Sequence, residues 1–330
     1  MIAYVGRRIA MAGITVLAIS AITFIIIQLP PGDFADAYLA QLAASGSTVS
    51  AAEADRLRQE FGLDDPMYIQ YFKWLSRMAV GDFGYSMEWR RPVSDVLSDR
   101  VWLTLAVSVS ALLLTWLVAL PIGIYSAVRK YSVGDYICTL LGFIGLAVPN
   151  FLLALVVLYV GFRYFGLNVG GLFSPEYEQA PWSFAKFVNL AQHLVLPAFI
   201  LALAGTAQLI RLLRANLLDE LRQPYVVTAR AKGLSSTRVL LKYPVRAALN
   251  PFVSSMAYVF PHLVSGSIIV SLVLGLPTVG PLLLRALVAQ DMLLAGTIVL
   301  MLGILTVIGT LISDLLLMLL DPRIRHAVQK

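Results

Sequence analysis

Residues 101–128 read VWLTLAVSVSALLLTWLVALPIGIYSAV, 28 residues without one Asp, Glu, Lys or Arg. About 20 apolar residues in a helix, at 1.5 Å per residue, cross the hydrocarbon core of a bilayer. This stretch is long enough. Five more uncharged runs flank it: Ile9–Leu29, Tyr136–Phe162, Leu190–Ile210, Ala247–Leu284 and Met292–Ser313. The run 247–284 has 38 residues, more than one span, and carries Pro251, Pro261, Pro277 and Pro281. Its pattern predicts a helix over about 250–274, then a short apolar segment dipping into the outer face. Non-helical backbone at membrane depth must be buried in protein or line a cavity. That segment is either a pathway element or a packed loop.

Composition agrees. Of 330 residues, 59% are hydrophobic and 13% are charged, against roughly 25% charged in a soluble domain. Mean hydropathy is +0.80. A disordered chain and a soluble globular enzyme are both excluded. The first run follows Arg7 and Arg8 as a signal peptide would, but its length and its Leu29-Pro30-Pro31-Gly32 exit point to an uncleaved first span. Cys138, the single cysteine, sits in an apolar run and reads as a small buried hydrophobe.

The net charge of +6 is a topology signal. With the N-terminus in the cytoplasm, the inside segments 1–8, 129–135, 211–246 and 314–330 hold 15 of the 25 Lys and Arg. The outside loops 163–189 and 285–291 hold only Arg163, Lys186 and Arg285. This is the positive-inside bias, and it leaves no footprint for nucleic acid. The expectation is an all-α polytopic membrane protein with six transmembrane helices and both termini cytoplasmic. Residues 1–29 form the N-terminus and first helix, and 30–100 an outside helical region. Residues 101–320 form a five-helix core with an inner loop at 219–246, and 321–330 a cytoplasmic tail.

The outside region holds 11 of the 19 acidic residues. Ser50-Ala51-Ala52-Glu53 has capping-box spacing and opens a helix to Phe61. Asp65-Pro66 reads as an N-cap with an N1 proline. Tyr68, Phe72, Leu75 and Ala79 then recur at helical spacing, with Tyr71 and Met78 widening the face. A small helical cap lying on the membrane and a docking surface for an external partner both fit.

The inner loop 211–246 carries eight Lys and Arg. Pro224 ends the incoming helix, Tyr225–Lys232 forms a short helix and Gly233 is its C′ residue. Ser235 or Ser236 caps a second short helix that stops near Pro244. Physics alone makes this a cytoplasmic contact surface or a solvated basic loop.

The residues of this loop carry a resemblance. Tyr225-Val226-Val227-Thr228-Ala229-Arg230-Ala231-Lys232-Gly233-Leu234 resembles the "EAA" coupling loop of bacterial ABC-importer permeases, in its dipeptide/oligopeptide/nickel form. Other pieces agree in order: Leu29-Pro30-Pro31-Gly32-Asp33, Gln70-Tyr71-x-x-Trp74-Leu75, Gly81-Asp82-Phe83-Gly84-Tyr85-Ser86, Leu120-Pro121-Ile122-Gly123, His193-Leu194-Val195-Leu196-Pro197-Ala198 and Leu320-Asp321-Pro322-Arg323. Two departures stand out. Val227 occupies the place of the family's Arg or Glu, and Ser271 or a neighbour stands where a glutamate is common after span five.

The resemblance implies a type I ABC-importer permease fold. It also implies a second homologous permease subunit, two ATPase subunits and a periplasmic or lipid-anchored solute-binding protein, all working within membrane lipid. ATP and Mg would belong to the ATPase subunits, and no cofactor to this chain, which has no phosphate-binding loop. Tyr225, Thr228, Ala229, Arg230, Ala231, Lys232, Gly233 and Leu234 would couple to the ATPase. Gly233 would allow a sharp turn, Ala229 and Ala231 would keep the helix surface low, and Arg230 and Lys232 would pair with acidic groove residues or hold the loop inside. Pro149, Pro261, Gly266 and Pro277 are the pathway candidates; kinks and close packing are easiest at the first three, and ordinary helix packing is the competing reading of each. Asp314, near the inner end of the last span, points to a structural partner or snorkelling. Related permeases carry dipeptides, oligopeptides, glutathione, nickel chelates and some sugars.

An ion-coupled secondary transporter is the alternative. It would show ionisable groups near the midplane and inverted repeats, and neither is evident. A membrane enzyme is disfavoured because His193, His262 and His326 are scattered.

Overall fold

The computed structural model describes residues 2–29, 65–86, 88–166, 170–254 and 266–320. Helices dominate. They are α1 (Ile2–Gln28), α2 (Met67–Ala79), α3 (Val93–Val128), α4 (Val133–Ala147), α5 (Asn150–Phe165), α6 (Pro175–Glu178), α7 (Phe184–Glu220), α8 (Pro224–Ala231), α9 (Ser236–Lys242) and α10 (Pro244–Ser254). Helical residues 266–273 form α11, followed by α12 (Val279–Val288) and α13 (Met292–Leu320). Strands β1 (Tyr85–Ser86) and β2 (Arg91–Pro92) make one antiparallel hairpin.

Four helices are long and apolar enough to cross a bilayer, within α1, α3, α7 and α13. α4 and α5 pass the same test only as a pair, bent by 96°. The run 136–162 is therefore not one straight span. Its break falls at Val148, which is extended (φ −88°, ψ 119°) because a following proline disfavours helical backbone. Pro149 then stands at the N-cap of α5. The described residues thus hold four spans, or five if the bent pair is one. The expected span over about 250–274 runs through 255–265, which lie outside the described residues.

The chain divides into two compact units. The first comprises Met1–Arg8, Leu103–Pro277 and Ile308–Lys330. Leu103, Val107 and Ala111 of α3 pack there with Ala198, Ile200 and Leu201 of α7 and with Val270 and Leu274. A neighbouring cluster joins Ala119, Leu209, Leu213, Leu217 and Phe252. Two helix pairs approach closely through glycine. A Cβ on Gly123 would stand 2.9 Å from the Leu213 side chain, and one on Gly145 would stand 3.0 Å from Leu203. Small residues at such crossings let backbones draw together where lipid supplies no hydrophobic drive. Arg8 pairs with Asp314 at 3.0 Å, which supplies the carboxylate's structural partner.

The second unit comprises Ile9–Trp102 and Thr278–Val307. The expected short apolar segment after span five is α12, whose Val279, Leu282 and Ala286 pack with Val93, Val96 and Leu97 of α3 and Leu294 and Ile298 of α13. α2 lies on α1 and α13 through Trp74, with Tyr71, Leu75 and Met78 beside it against Phe24 and Leu300. Tyr68 and Phe72, also on the expected face, point outward, each 65% exposed. The cap is corrected. Pro66 is itself the N-cap of α2, and the Asp65 carboxylate pairs with Lys73 instead. The helix expected over 50–61 lies outside the described residues.

Candidate functional site

α7 is the longest helix among the described residues and delivers the chain to the inner loop. Pro224 sits at N1 of α8, where its missing N–H leaves nothing unpaired. Nine residues further, at Gly233, the helix closes on a glycine. Lys232 keeps φ −78° as C-cap, and Gly233 takes φ +78°, the left-handed region that glycine enters freely. The Gly233 N–H donates to the Arg230 carbonyl at 3.0 Å, and the Lys232 N–H to the Thr228 carbonyl at 3.1 Å. Ser235 is the N-cap of α9, without a side-chain hydrogen bond to it. The result is a helix–glycine–helix elbow.

This elbow has its own small core. Val226, Ala229 and Val239 are buried together, with Leu234 and Tyr243 packed against them. Val226 and Ala229 lie three apart, so they share one face of α8. The other face is open: Tyr225, Val227, Thr228, Arg230 and Ala231 are exposed, as are Lys232 and Gly233. Among the described residues neither Arg230 nor Lys232 forms an ion pair. The two alanines therefore divide. Ala231 is on the outer face, whereas Ala229 belongs to the elbow's interior. Thr228 turns its hydroxyl back to the Pro224 carbonyl at 3.0 Å.

Tyr225 anchors the elbow to its stem. Its hydroxyl donates to the Glu220 carboxylate at the end of α7, and its ring lies 6.5 Å from that of Tyr243. Partial desolvation of the ring's hydroxyl end first, then the Glu220 carboxylate, pushes the Tyr225 hydroxyl well above its ordinary range. A space around Gly233 is empty: a Cβ there would meet nothing within 4 Å. Its constraint is backbone conformation, not crowding.

The pathway candidates are scattered. Pro149 is exposed at the 96° bend, Gly266 is half-buried at the first described residue of α11, and Pro277 is half-buried in the link before α12. Pro261 lies outside the described residues. An apolar cleft between α3 and α7, lined by Val109, Leu114, Phe187 and Val195 among others, includes none of them.

Two polar pairs escaped the sequence reading. Asp135 and Arg214 form a two-pronged ion pair between α4 and α7. Ser86 and Asp291 join the hairpin to the start of α13. A signal existed for the first, since Ser132-x-x-Asp135 has capping spacing just before an apolar run.

Comparison with known proteins places this geometry. The family described as "Binding-protein-dependent transport system inner membrane component" matches residues 119–326. Its N-terminal companion, "Binding-prot-dependent transport system membrane comp, N-term", matches residues 1–108. The chain is 35% identical over 327 residues to the oligopeptide transport system permease protein AppB of Bacillus subtilis, covering 99% of this chain and 100% of that one. It is 32% identical over 327 residues to a putative peptide permease protein of Brucella ovis (98% and 99% covered). It is 31% identical over 326 residues to the glutathione transport system permease protein GsiC of Escherichia coli (99% and 100% covered). An ion-coupled carrier is accordingly not favoured. With the elbow, the apolar helices and matches running through both parts of the chain, the protein belongs to the family of binding-protein-dependent transport system inner membrane components, as a multi-pass permease subunit of an ABC importer.

Proposed function

We propose that this permease admits peptides or similar small solutes as one half of a translocation pathway, and that the elbow at 224–242 is where it is driven. The partners are a second homologous permease, two ATPase subunits that bind ATP and Mg, and an external solute-binding protein. The chain itself carries out no catalysis. Six helices cross the membrane with both ends in the cytoplasm. The pairing of Arg8 with Asp314 supports this, because it brings the starts and ends of the outermost helices to one side.

The observation that carries the proposal is the elbow's division of labour. Val226, Ala229 and Val239 hold its shape from within, so the outer residues are free to meet a partner. Tyr225, Thr228, Arg230, Ala231, Lys232, Gly233 and Leu234 are the contact residues, with Ala229 supporting them from inside. ATP binding closes the ATPase pair, and an elbow seated in that pair moves with it. A nucleotide shifts the permease only through its unequal affinity for two states of the assembly. The peptide assignment rests on relatives named as oligopeptide, peptide and glutathione permeases.

Two measurements test the reading. The tagged chain should co-purify with an ATPase subunit when expressed in its native host, and a cysteine label at residue 232 should react only from the cytoplasmic side. Purification without an ATPase, or labelling from outside, would overturn it.

A further inference from the structure

Asp135 lies in the first turn of α4 with its side chain 3% exposed. Arg214 of α7 donates Nε to Oδ1 at 2.9 Å and Nη2 to Oδ2 at 2.8 Å. Oδ2 also accepts the Tyr131 N–H at 2.9 Å, and the Asp135 N–H donates to Ser132 Oγ at 3.2 Å. A carboxylate so held fixes the guanidinium in orientation as well as distance. Tyr131 takes φ +64°, a region that residues with a Cβ avoid. Such a residue stays there only where its surroundings over-determine it.

The pair sits at a junction of two helices. Towards the middle of α4, Gly142 faces Ala207 and Gly145 faces Leu203, both on α7. In the other direction α7 continues past Arg214 to Glu220, which accepts the Tyr225 hydroxyl of the elbow. At its far end α4 stops at Val148, where the 96° bend into α5 begins. Glycine contacts alone would let α4 and α7 slide. The fork would not, because a slip of one turn, about 5.4 Å, breaks both of its bonds.

We propose that Asp135–Arg214 is a positioning clamp that makes α4 and α7 travel as one piece with the elbow, so that a displacement of α8 reaches the bend at Val148–Pro149. This rests on the reading of the elbow as the ATPase contact.

The test uses the whole importer complex in nanodiscs. In a Cys138→Ser background, spin labels go on Leu140→Cys in α4 and Thr237→Cys in α9. Distances between them are read without nucleotide and after trapping with ADP and vanadate. With the clamp intact, one narrow peak is expected at the same distance in both states. Arg214→Met and Asp135→Asn should lose the narrow peak, and Arg214→Lys, which keeps the charge without the fork, should fall between. A wild-type peak that moves on trapping, or an Arg214→Met or Arg214→Lys peak as narrow as wild type, would overturn the clamp. Failure of the wild-type chain to hold an ATPase would instead overturn the contact reading, and the nucleotide-free comparison would still judge the clamp.

Discussion

Ser86 donates its hydroxyl to the Asp291 carboxylate at 2.5 Å, joining residues 205 positions apart. Both are buried. The same carboxylate accepts the Glu88 N–H at 3.2 Å and, through its other oxygen, the Leu294 N–H at 3.2 Å. One side chain therefore caps α13 and pins the hairpin that precedes α3. Asp291→Ala removes an N-cap and leaves a buried donor unpaired, so it should destabilise the protein by about 2–4 kcal/mol. Ser86→Ala should cost less, because Asp291 keeps its backbone donors. Thermal unfolding in nanodiscs measures both, and equal stability of Asp291→Ala and wild type would contradict the assignment.

Gly233 allows the proposed coupling surface to be tested apart from the fold. A side chain there meets open space, and aspartate tolerates left-handed backbone better than most residues. Gly233→Asp should therefore change stability by only about 1 kcal/mol while ATP-driven uptake of a labelled peptide is lost. Uptake at the wild-type rate would remove Gly233 from the coupling surface.

The Asp135–Arg214 pair should show strong non-additivity. Arg214→Met strands a buried carboxylate and should cost about 3–5 kcal/mol. The double change Asp135→Leu/Arg214→Met strands nothing and should cost less than the single one. Chemical denaturation of wild type, Asp135→Leu, Arg214→Met and the double variant decides the matter, and strict additivity would argue against a direct pair.

Tyr225 predicts an alkaline effect. Its hydroxyl titrates above the ordinary value of 10.0 in the folded chain, because of burial and Glu220. The unfolded chain then releases its proton first. The stabilising contribution is whole below about pH 10 and is lost as the pH rises towards the folded value. Tyr225→Phe should thus differ from wild type in stability at pH 8, with the difference shrinking above pH 10. A difference that stays constant across that range would place the hydroxyl outside the bond with Glu220.

Much of the helical architecture was legible because charge is excluded from lipid. The uncharged run 101–128 ends where α3 ends, and runs 9–29 and 292–313 lie almost wholly within α1 and α13. Counting charge-free residues fails where a charge finds a partner. α7 begins ahead of Lys186, whose amine is buried against the Ala180 carbonyl at 2.6 Å and stands over the Phe173 and Trp182 rings. It also runs past Arg211 and Arg214. The bend at Pro149 was invisible to hydropathy, since both its arms are equally apolar. The side of α2 that packs on the protein was not legible, because Tyr68 and Phe72 are as hydrophobic as Tyr71 and Trp74, and only the neighbours Phe24 and Leu300 choose between them. In the elbow the turn at Gly233 and both short helices were readable from Pro, Gly and Ser. The inward position of Ala229 was not, because it depends on Val239 arriving from the next helix.

The three-residue interior of the elbow has an evolutionary consequence. On the proposed coupling role, drift at Val226, Ala229 or Val239 would be judged by whether the loop still folds, and drift at Val227 or Arg230 by whether it still fits its neighbour. Two selective pressures would then act on interleaved positions without obstructing each other. A lineage could therefore exchange its engine by altering a handful of outward side chains, leaving the membrane body untouched.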